Sequence, residues 1–366
     1  MINETLITGG DGYLGKLLTT TLLNSTDKNI ALWVRVADSD ELQAKKQCLE
    51  TLYEKHAGRV SLYYSDLREE QPFSGVPTKN INEIIHTAAI TRFNVEENLA
   101  ALVNREGSRK AMEFARRCNK LQRFSYISTV YSSGLKEGVV NEAYVDPANQ
   151  FCNFYEKSKC EAEHLLHTEY DDLPWTIFRP ATMIADNDSG QVSQYNVFHN
   201  TMRLLFYGLI SLIPGHKDTP VYLTTGTYTA DAIYKTSYSD ADMLHKIYNV
   251  CHSKGEAISL GELIDRVYLS FQKDPGFTKR RILKPLFTNM QAFESLASSL
   301  KGLGGAVVRE ALDSIRPFSK QLFITKDIRN DNLASAWPDH PPMNIQTLTD
   351  NVASYLVSTR WGNVAS

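Results

Sequence analysis

The sequence predicts an α/β fold, a doubly wound parallel sheet with a smaller, mostly helical lobe beside it. Short β-branched runs alternate with helix-length segments at Thr5–Ile7, Ile30–Arg35, Val60–Tyr64, Glu83–His86 and Phe124–Ser128, the pattern of strands paired in parallel through helical crossovers. Further strand-like runs at Thr176–Phe178, closed by Arg179-Pro180, and at Ile247–Cys251 carry the sheet past the middle of the chain. The texture then changes to an aromatic, Gly/Pro-punctuated stretch at 186–225 and a helical, partly basic region at 253–366. These features divide the chain into a sheet domain of residues 1–185 plus 226–252 and a second lobe of 186–225 plus 253–366. A lobe folded over the carboxyl edge of such a sheet closes the crevice where ligands sit.

The first strand runs into Thr8-Gly9-Gly10-Asp11-Gly12-Tyr13-Leu14-Gly15 and a helical stretch from Lys16 to Asn24. Strand, glycine turn and helix is the order that holds a dinucleotide: the glycines let the backbone approach the pyrophosphate, whose charge faces the helix amino terminus. We therefore expect a Rossmann-type cofactor site at Thr8, Gly9, Gly10, Gly12, Tyr13, Leu14 and Gly15. The second strand ends at Arg35, where an NAD site usually offers a carboxylate to the ribose. A guanidinium there suits the 2′-phosphate of NADP, with Lys45 or Lys46 as second contacts. The alternative is a solvated arginine beside Asp38 and Asp40. Asp66-Leu67, after the third strand, is expected at the adenine edge, and Ala88-Ala89, after the fourth, lets a cofactor pass close to the backbone. His86 ends a buried strand and is assigned to packing; His199 is a further acid/base candidate.

The fifth strand ends Ile127-Ser128-Thr129, and Tyr155-Glu156-Lys157-Ser158-Lys159 follows, with a phenol and an ammonium at i and i+4 on one helix face. A phenol is a weak acid at neutral pH, and a neighbouring cation is expected to lower its pKa towards the range useful for proton transfer to a carbonyl oxygen. Lys159 is also expected to hold the nicotinamide ribose, and Thr129 to donate to the oxyanion, with Ser128 as the other hydroxyl.

Glycine turn, hydroxyl-ended strand and Tyr/Lys pair, in that order, resemble the extended short-chain dehydrogenase/reductases over residues 1 to about 250. In that superfamily the catalytic hydroxyl is the second of such a pair, which favours Thr129 over Ser128. His86-Thr87-Ala88-Ala89-Ile90-Thr91-Arg92-Phe93-Asn94, Phe178-Arg179-Pro180-Ala181-Thr182-Met183-Ile184 and Asp186-Asn187-Asp188-Ser189-Gly190 look like the corresponding stretches of thioester reductase domains and fatty acyl-CoA reductases. Thr229–Ile233 and Ile258–Leu263 sit where that group has its late helix motifs. Ala185 stands where the group has glycine, Thr224–Thr227 lacks its Val-Pro-Val-Asp, and the tail from 280 matches loosely. The resemblance implies a Thr129/Tyr155/Lys159 triad, Pro180 and Thr182 at the cofactor, and NADPH-dependent reduction of an acyl thioester on coenzyme A or a carrier-protein phosphopantetheine arm, to aldehyde or onward to alcohol. An extended dehydrogenase or epimerase acting on a free alcohol, sterol-like compound or nucleotide sugar is the alternative. A non-catalytic NADP sensor is disfavoured because it has no use for a proton donor.

The net charge of -3 and interspersed charges give no footprint for nucleic acid. Cys48, Cys118, Cys152, Cys160 and Cys251 lack C-x-x-C spacing, so neither a disulfide framework nor a zinc site is expected. The amino terminus shows no basic leader and no adenylation or carrier module is visible, so a free-standing cytoplasmic reductase is expected. The run Leu204–Ile213 is about half of the roughly 20 residues a membrane span needs and is read as a pocket wall or buried helix. Peripheral contact with a membrane stays open. Tyr195, Phe198, Phe206 and Tyr207 are candidates for an acyl tunnel or for core packing, and Arg203, Lys217, Lys279, Arg280, Arg281 and Lys284 for docking an acidic partner or for a solvated face.

Overall fold

A computed structural model describes residues 4–239, 243–303 and 315–362; the parts of the two expected domains at 1–3, 240–242, 304–314 and 363–366 lie outside the described residues. Seven strands build the central sheet: β1 (Glu4–Thr8), β2 (Asn29–Arg35), β3 (Val60–Ser65), β4 (Ile81–His86), β5 (Arg123–Ile127), β6 (Trp175–Pro180) and β7 (Lys246–Val250). Each expected strand is present, its ends shifted by a residue or two. The spatial order is β7-β6-β5-β4-β1-β2-β3 with every pairing parallel. The chain winds outward through β2 and β3, then crosses back to β4. The loops leaving β1 and β4 therefore diverge, and a crevice opens at this switch point.

Alternate strand residues feed two cores. Ile7, Ile30, Leu32, Val34 and Ile85 face one side, packed with Leu18 and Leu22 of α1 (Tyr13–Ser25). Leu6, Ala31, Trp33 and Ile84 face the other. That side is covered by Phe114 and Ala115 of α4 (Gly107–Arg116) and Ala162 and Leu166 of α5 (Phe154–Thr168). Between α1 and α4 the chain forms α2 (Ser39–Leu52), then α3 (Glu97–Ala100) and a π-helical turn Ala101–Glu106. Burial on both faces explains why β1 and β6 read as unbroken buried runs.

Beyond β6 the chain adds short strands and α6 (Val197–Phe206), α7 (Gly226–Ser237) and α8 (Leu260–Phe271). The run Leu204–Ile213 is not one helix: α6 ends at Phe206, Gly208 turns with a φ of 68°, and a strand begins at Leu212. Lys326–Ile328 pairs in parallel with Gly138–Val140, tying the late chain to the loop beyond β5. At the end of β6, Arg179 is fully buried and grips Glu163 of α5 through Nε (3.0 Å) and Nη2 (2.5 Å). No helix among the described residues is long and apolar enough to cross a membrane.

Candidate active site

A cavity of about 1590 Å³ lies along the carboxyl ends of β1, β2, β4, β5 and β6. It exceeds the ~300–1,000 Å³ of ordinary small-molecule pockets, which leaves room for a dinucleotide and a second ligand. The glycine turn forms one wall. Gly9 has a φ of 69°, and a Cβ there would stand 2.9 Å from Thr87 Oγ1. At Gly15 it would stand 2.2 Å from the carbonyl oxygen of Gly9. Gly12 caps α1 without a side-chain hydrogen bond, so the helix presents its positive end and first-turn N–H groups to an anion. These features fit a pyrophosphate.

Gly9, Gly12, Tyr13, Leu14 and Gly15 line the cavity, as do Arg35, Asp66, Leu67, Ala88, Ala89, Pro180 and Thr182. Thr8 and Gly10 stand behind its wall. Thr8 Oγ1 bonds His86 Nδ1 at 2.8 Å and accepts from Ala88 N at 3.2 Å, lacing the β1 and β4 loops together, while Gly10 presses on Leu32. The far end of the cavity brings Arg35, Lys45 and Arg68 together with the carboxylates of Asp11, Glu41 and Asp66. Arg35 is about half exposed and its nearest acid is Glu41, at 3.4 Å, rather than Asp38 or Asp40. Lys45 faces the cavity, held by Asp11 at 2.7 Å and Glu41 at 2.9 Å; Lys46 turns to Glu50. Arg68, which sequence reasoning missed, also lines this end, clasped by Asp66 at 2.7 Å.

The reactive side chains meet at the other end. Thr129 caps the short helix after β5, its Oγ1 accepting from Tyr131 N at 3.3 Å. Asn153 caps α5 by accepting from Glu156 N, which puts Tyr155 and Lys159 on the buried face of the helix. Lys159 Nζ donates to Ile127 O at 2.5 Å and lies 4.3 Å from the Tyr126 ring centre. Burial pulls Lys159 down to about 7 against the attraction of Glu163. Burial also pushes the Tyr155 phenol up to about 12, opposed by a hydrogen bond with Thr129. The expected lowering of the phenol by its cation is not seen, because desolvation dominates and the ammonium points at a backbone carbonyl.

Two further groups shape this end, neither assigned a role from the sequence. Asn104, in the π-helical turn, accepts from Ile90 N at 2.8 Å and donates to Ile90 O and Ser158 Oγ at 3.0 Å each, clamping the β4 loop to α5 beside Lys159. Phe93 lies 5.7 Å from Tyr155 between ring centres and stacks on Phe318 at 5.1 Å. His86 is fully buried between Thr8 and Ser108 and drops to about 3 through burial, as packing requires. His199 closes the capping box of α6 and bonds Ile184 O at 2.9 Å, which leaves it a structural part. Tyr195, Arg203 and Tyr207 line the cavity; Phe198 lines a neighbouring one and Phe206 packs into the core against Phe271 and Phe277. Lys217 and Lys279 are exposed, Arg280 donates to Phe206 O at 2.8 Å, Arg281 has a φ of 54°, and Lys284 pairs with Asp265.

The model of the male sterility protein family, an NAD-binding domain, matches residues 7–233. An alcohol-forming fatty acyl-CoA reductase of Simmondsia chinensis is 25% identical over 162 residues, 37% of this chain and 32% of that protein, so the match spans about a third of that relative's length. Among solved structures, the terminal R domain from the myxalamid PKS-NRPS biosynthetic pathway superposes with a TM-score of 0.78 at 20% identity, covering 100% of this chain and 93% of that one. UDP-glucuronic acid 4-epimerase from Bacillus cereus, in complex with NAD, superposes with a TM-score of 0.67 at 15% identity, covering 97% and 99%. At these identities the superpositions show the fold alone.

Proposed function

We propose that this chain, which belongs to the male sterility protein family of NAD-binding domains, is a cytoplasmic reductase that uses NADPH to convert an acyl thioester to an aldehyde or onward to an alcohol. One observation carries the reading: a single cavity joins a glycine turn and an end bearing Arg35, Lys45 and Arg68 to Thr129, Tyr155 and Lys159. In this reading residues 1–185 with 226–252 hold the nucleotide, and 186–225 with 253–366 hold the acyl side.

A bound nicotinamide supplies the hydride. Thr129 and Tyr155 donate hydrogen bonds to the carbonyl oxygen as it gains charge, the stage at which aligned donors contribute most. Lys159, one helical turn from Tyr155 and lowered by burial, would hold the ribose of a bound cofactor. The carbonyl carbon gains the hydride, the carbon–sulfur bond breaks, and the thiolate takes a proton to leave as thiol beside an aldehyde. A second hydride and proton make the alcohol. The thiol belongs to coenzyme A or a phosphopantetheine arm, for which the cavity offers the wall of Tyr195, Arg203 and Tyr207. Arg35, with Lys45 and Arg68 beside it, supports NADPH over NADH through the 2′-phosphate. The test is a panel of acyl thioesters, free aldehydes and secondary alcohols with both nicotinamides, products identified by mass. Thiol release with aldehyde or alcohol supports the reading, and reaction only with free carbonyls or alcohols replaces it with a general dehydrogenase.

A further inference from the structure

Beside the main cavity lies a second one of about 110 Å³, walled by apolar side chains of α6 and α8, among them Phe198, Met202, Leu263 and Ile264. Tyr131, Thr182 and Val197 line both cavities. Tyr131 Oη and Thr182 Oγ1 are 2.9 Å apart, so this pair forms a bar across the shared wall. Aromatic rings run up to the bar from the reactive end: Phe93 near Tyr155, then Phe318, 5.1 Å edge-on to Tyr131. Phe318 itself lines the second cavity.

The polar side chains on this wall are engaged elsewhere. Thr201 donates to Val197 O and Thr219 to Leu322 O, Gln321 donates to Gly134 O and Glu156, and Lys326 donates to Ser133 Oγ and Gly134 O. An amide-bearing pantetheine arm entering here would leave its polar groups without partners. A hydrocarbon chain loses nothing.

Building on the thioester reading, we propose that the second cavity is the subsite for the distal end of an unbranched acyl tail, with Tyr131 and Val197 as the gate that sets chain length. An apolar cavity of about 150 Å³ takes a benzene ring, so the space here takes about four carbons beyond the gate. Each methylene that passes the gate raises kcat/KM about fourfold, the equivalent of about 0.8 kcal/mol, until the space is filled.

The experiment measures kcat/KM for acetyl, butyryl, octanoyl, dodecanoyl and palmitoyl thioesters on the full chain, its Val197→Phe variant and its Met202→Ala variant. Val197→Phe narrows the gate and is expected to lower kcat/KM for octanoyl at least tenfold more than for acetyl thioester. Met202→Ala lengthens the space and moves the preferred tail to a longer chain. A profile flat in chain length, or variants that scale every substrate equally, overturns the assignment. Thermal stabilisation by octanoate against acetate is read in parallel on wild type and Val197→Phe. If no thioester is reduced but octanoate stabilisation is lost in the variant, the thioester reading fails and the subsite stands. If the variant is stabilised as well as wild type, the subsite fails whatever the activity.

Discussion

Replacing Lys159 with Met is expected to abolish turnover and make the protein more stable. The side chain is 2% exposed, and burial lowers its pKa from 10.5 to about 7. At pH 7 the unfolded lysine is fully protonated and the folded one only half so, and this mismatch weakens folding by about 4 kcal/mol. Methionine keeps similar apolar volume without the charge. Offsetting this, the variant loses the hydrogen bond to Ile127 O and the contact with the Tyr126 ring, together about 2 kcal/mol. The expected net gain at pH 7 is therefore about 2 kcal/mol. Its pH dependence is the sharper signature. The folded pKa is depressed, so the unfolded chain binds more protons between about 7 and 10.5, and wild-type stability rises there by up to about 1.4 kcal/mol per pH unit relative to the variant. The variant's advantage is largest near neutral pH and disappears as pH climbs through that window. Equilibrium urea unfolding of both proteins across the window reads this directly. A variant less stable than wild type at pH 7, or a difference independent of pH, would refute the assignment of Lys159 as a destabilising buried cation retained for chemistry.

Tyr155→Phe should lower turnover at least a thousandfold with NADPH affinity unchanged by fluorescence titration; near-normal turnover would remove the phenol from the chemistry. Arg35→Ala loses a charged hydrogen bond of about 1.5–3 kcal/mol and should weaken NADPH about ten- to hundredfold with NADH nearly unaffected, and equal losses would sink the 2′-phosphate assignment. Glu163→Ala strands the buried Arg179 guanidinium and should destabilise by about 3–5 kcal/mol in urea, whereas the double replacement Glu163→Leu with Arg179→Met should be markedly milder; equal effects would mean the pair is not coupled.

Most strands were legible as short runs of apolar and β-branched residues, because burial on both faces left continuous patterns such as Thr5–Ile7 and Thr176–Phe178. The glycine turn was legible because backbone crowding at Gly9 and Gly15 admits no side chain. Tyr155 and Lys159 were found because one helical turn separates them. Contacts across long stretches of chain left no such trace. Phe318 stacks on Phe93 from the late chain, brought there by long-range contacts such as Gln321 with Glu156 and the pairing of Lys326–Ile328 with Gly138–Val140. Asn104 reads as an ordinary polar helix residue, and only the π-helical turn shows that it clamps Ile90 and Ser158. The direction of the Tyr155 shift was misjudged for the same reason, since i,i+4 spacing reports proximity to Lys159 and not how completely the surrounding fold excludes water.

The most direct test of the central claim follows the hydride itself: NADPH deuterated at its hydride-bearing carbon is incubated with an acyl thioester and the chain, and the products are read by mass. The account predicts one deuterium on the former carbonyl carbon of the aldehyde, or two if reduction continues to alcohol, with one thiol released per acyl group. Thiol release without deuterium in the product would show hydrolysis rather than reduction and would contradict the account.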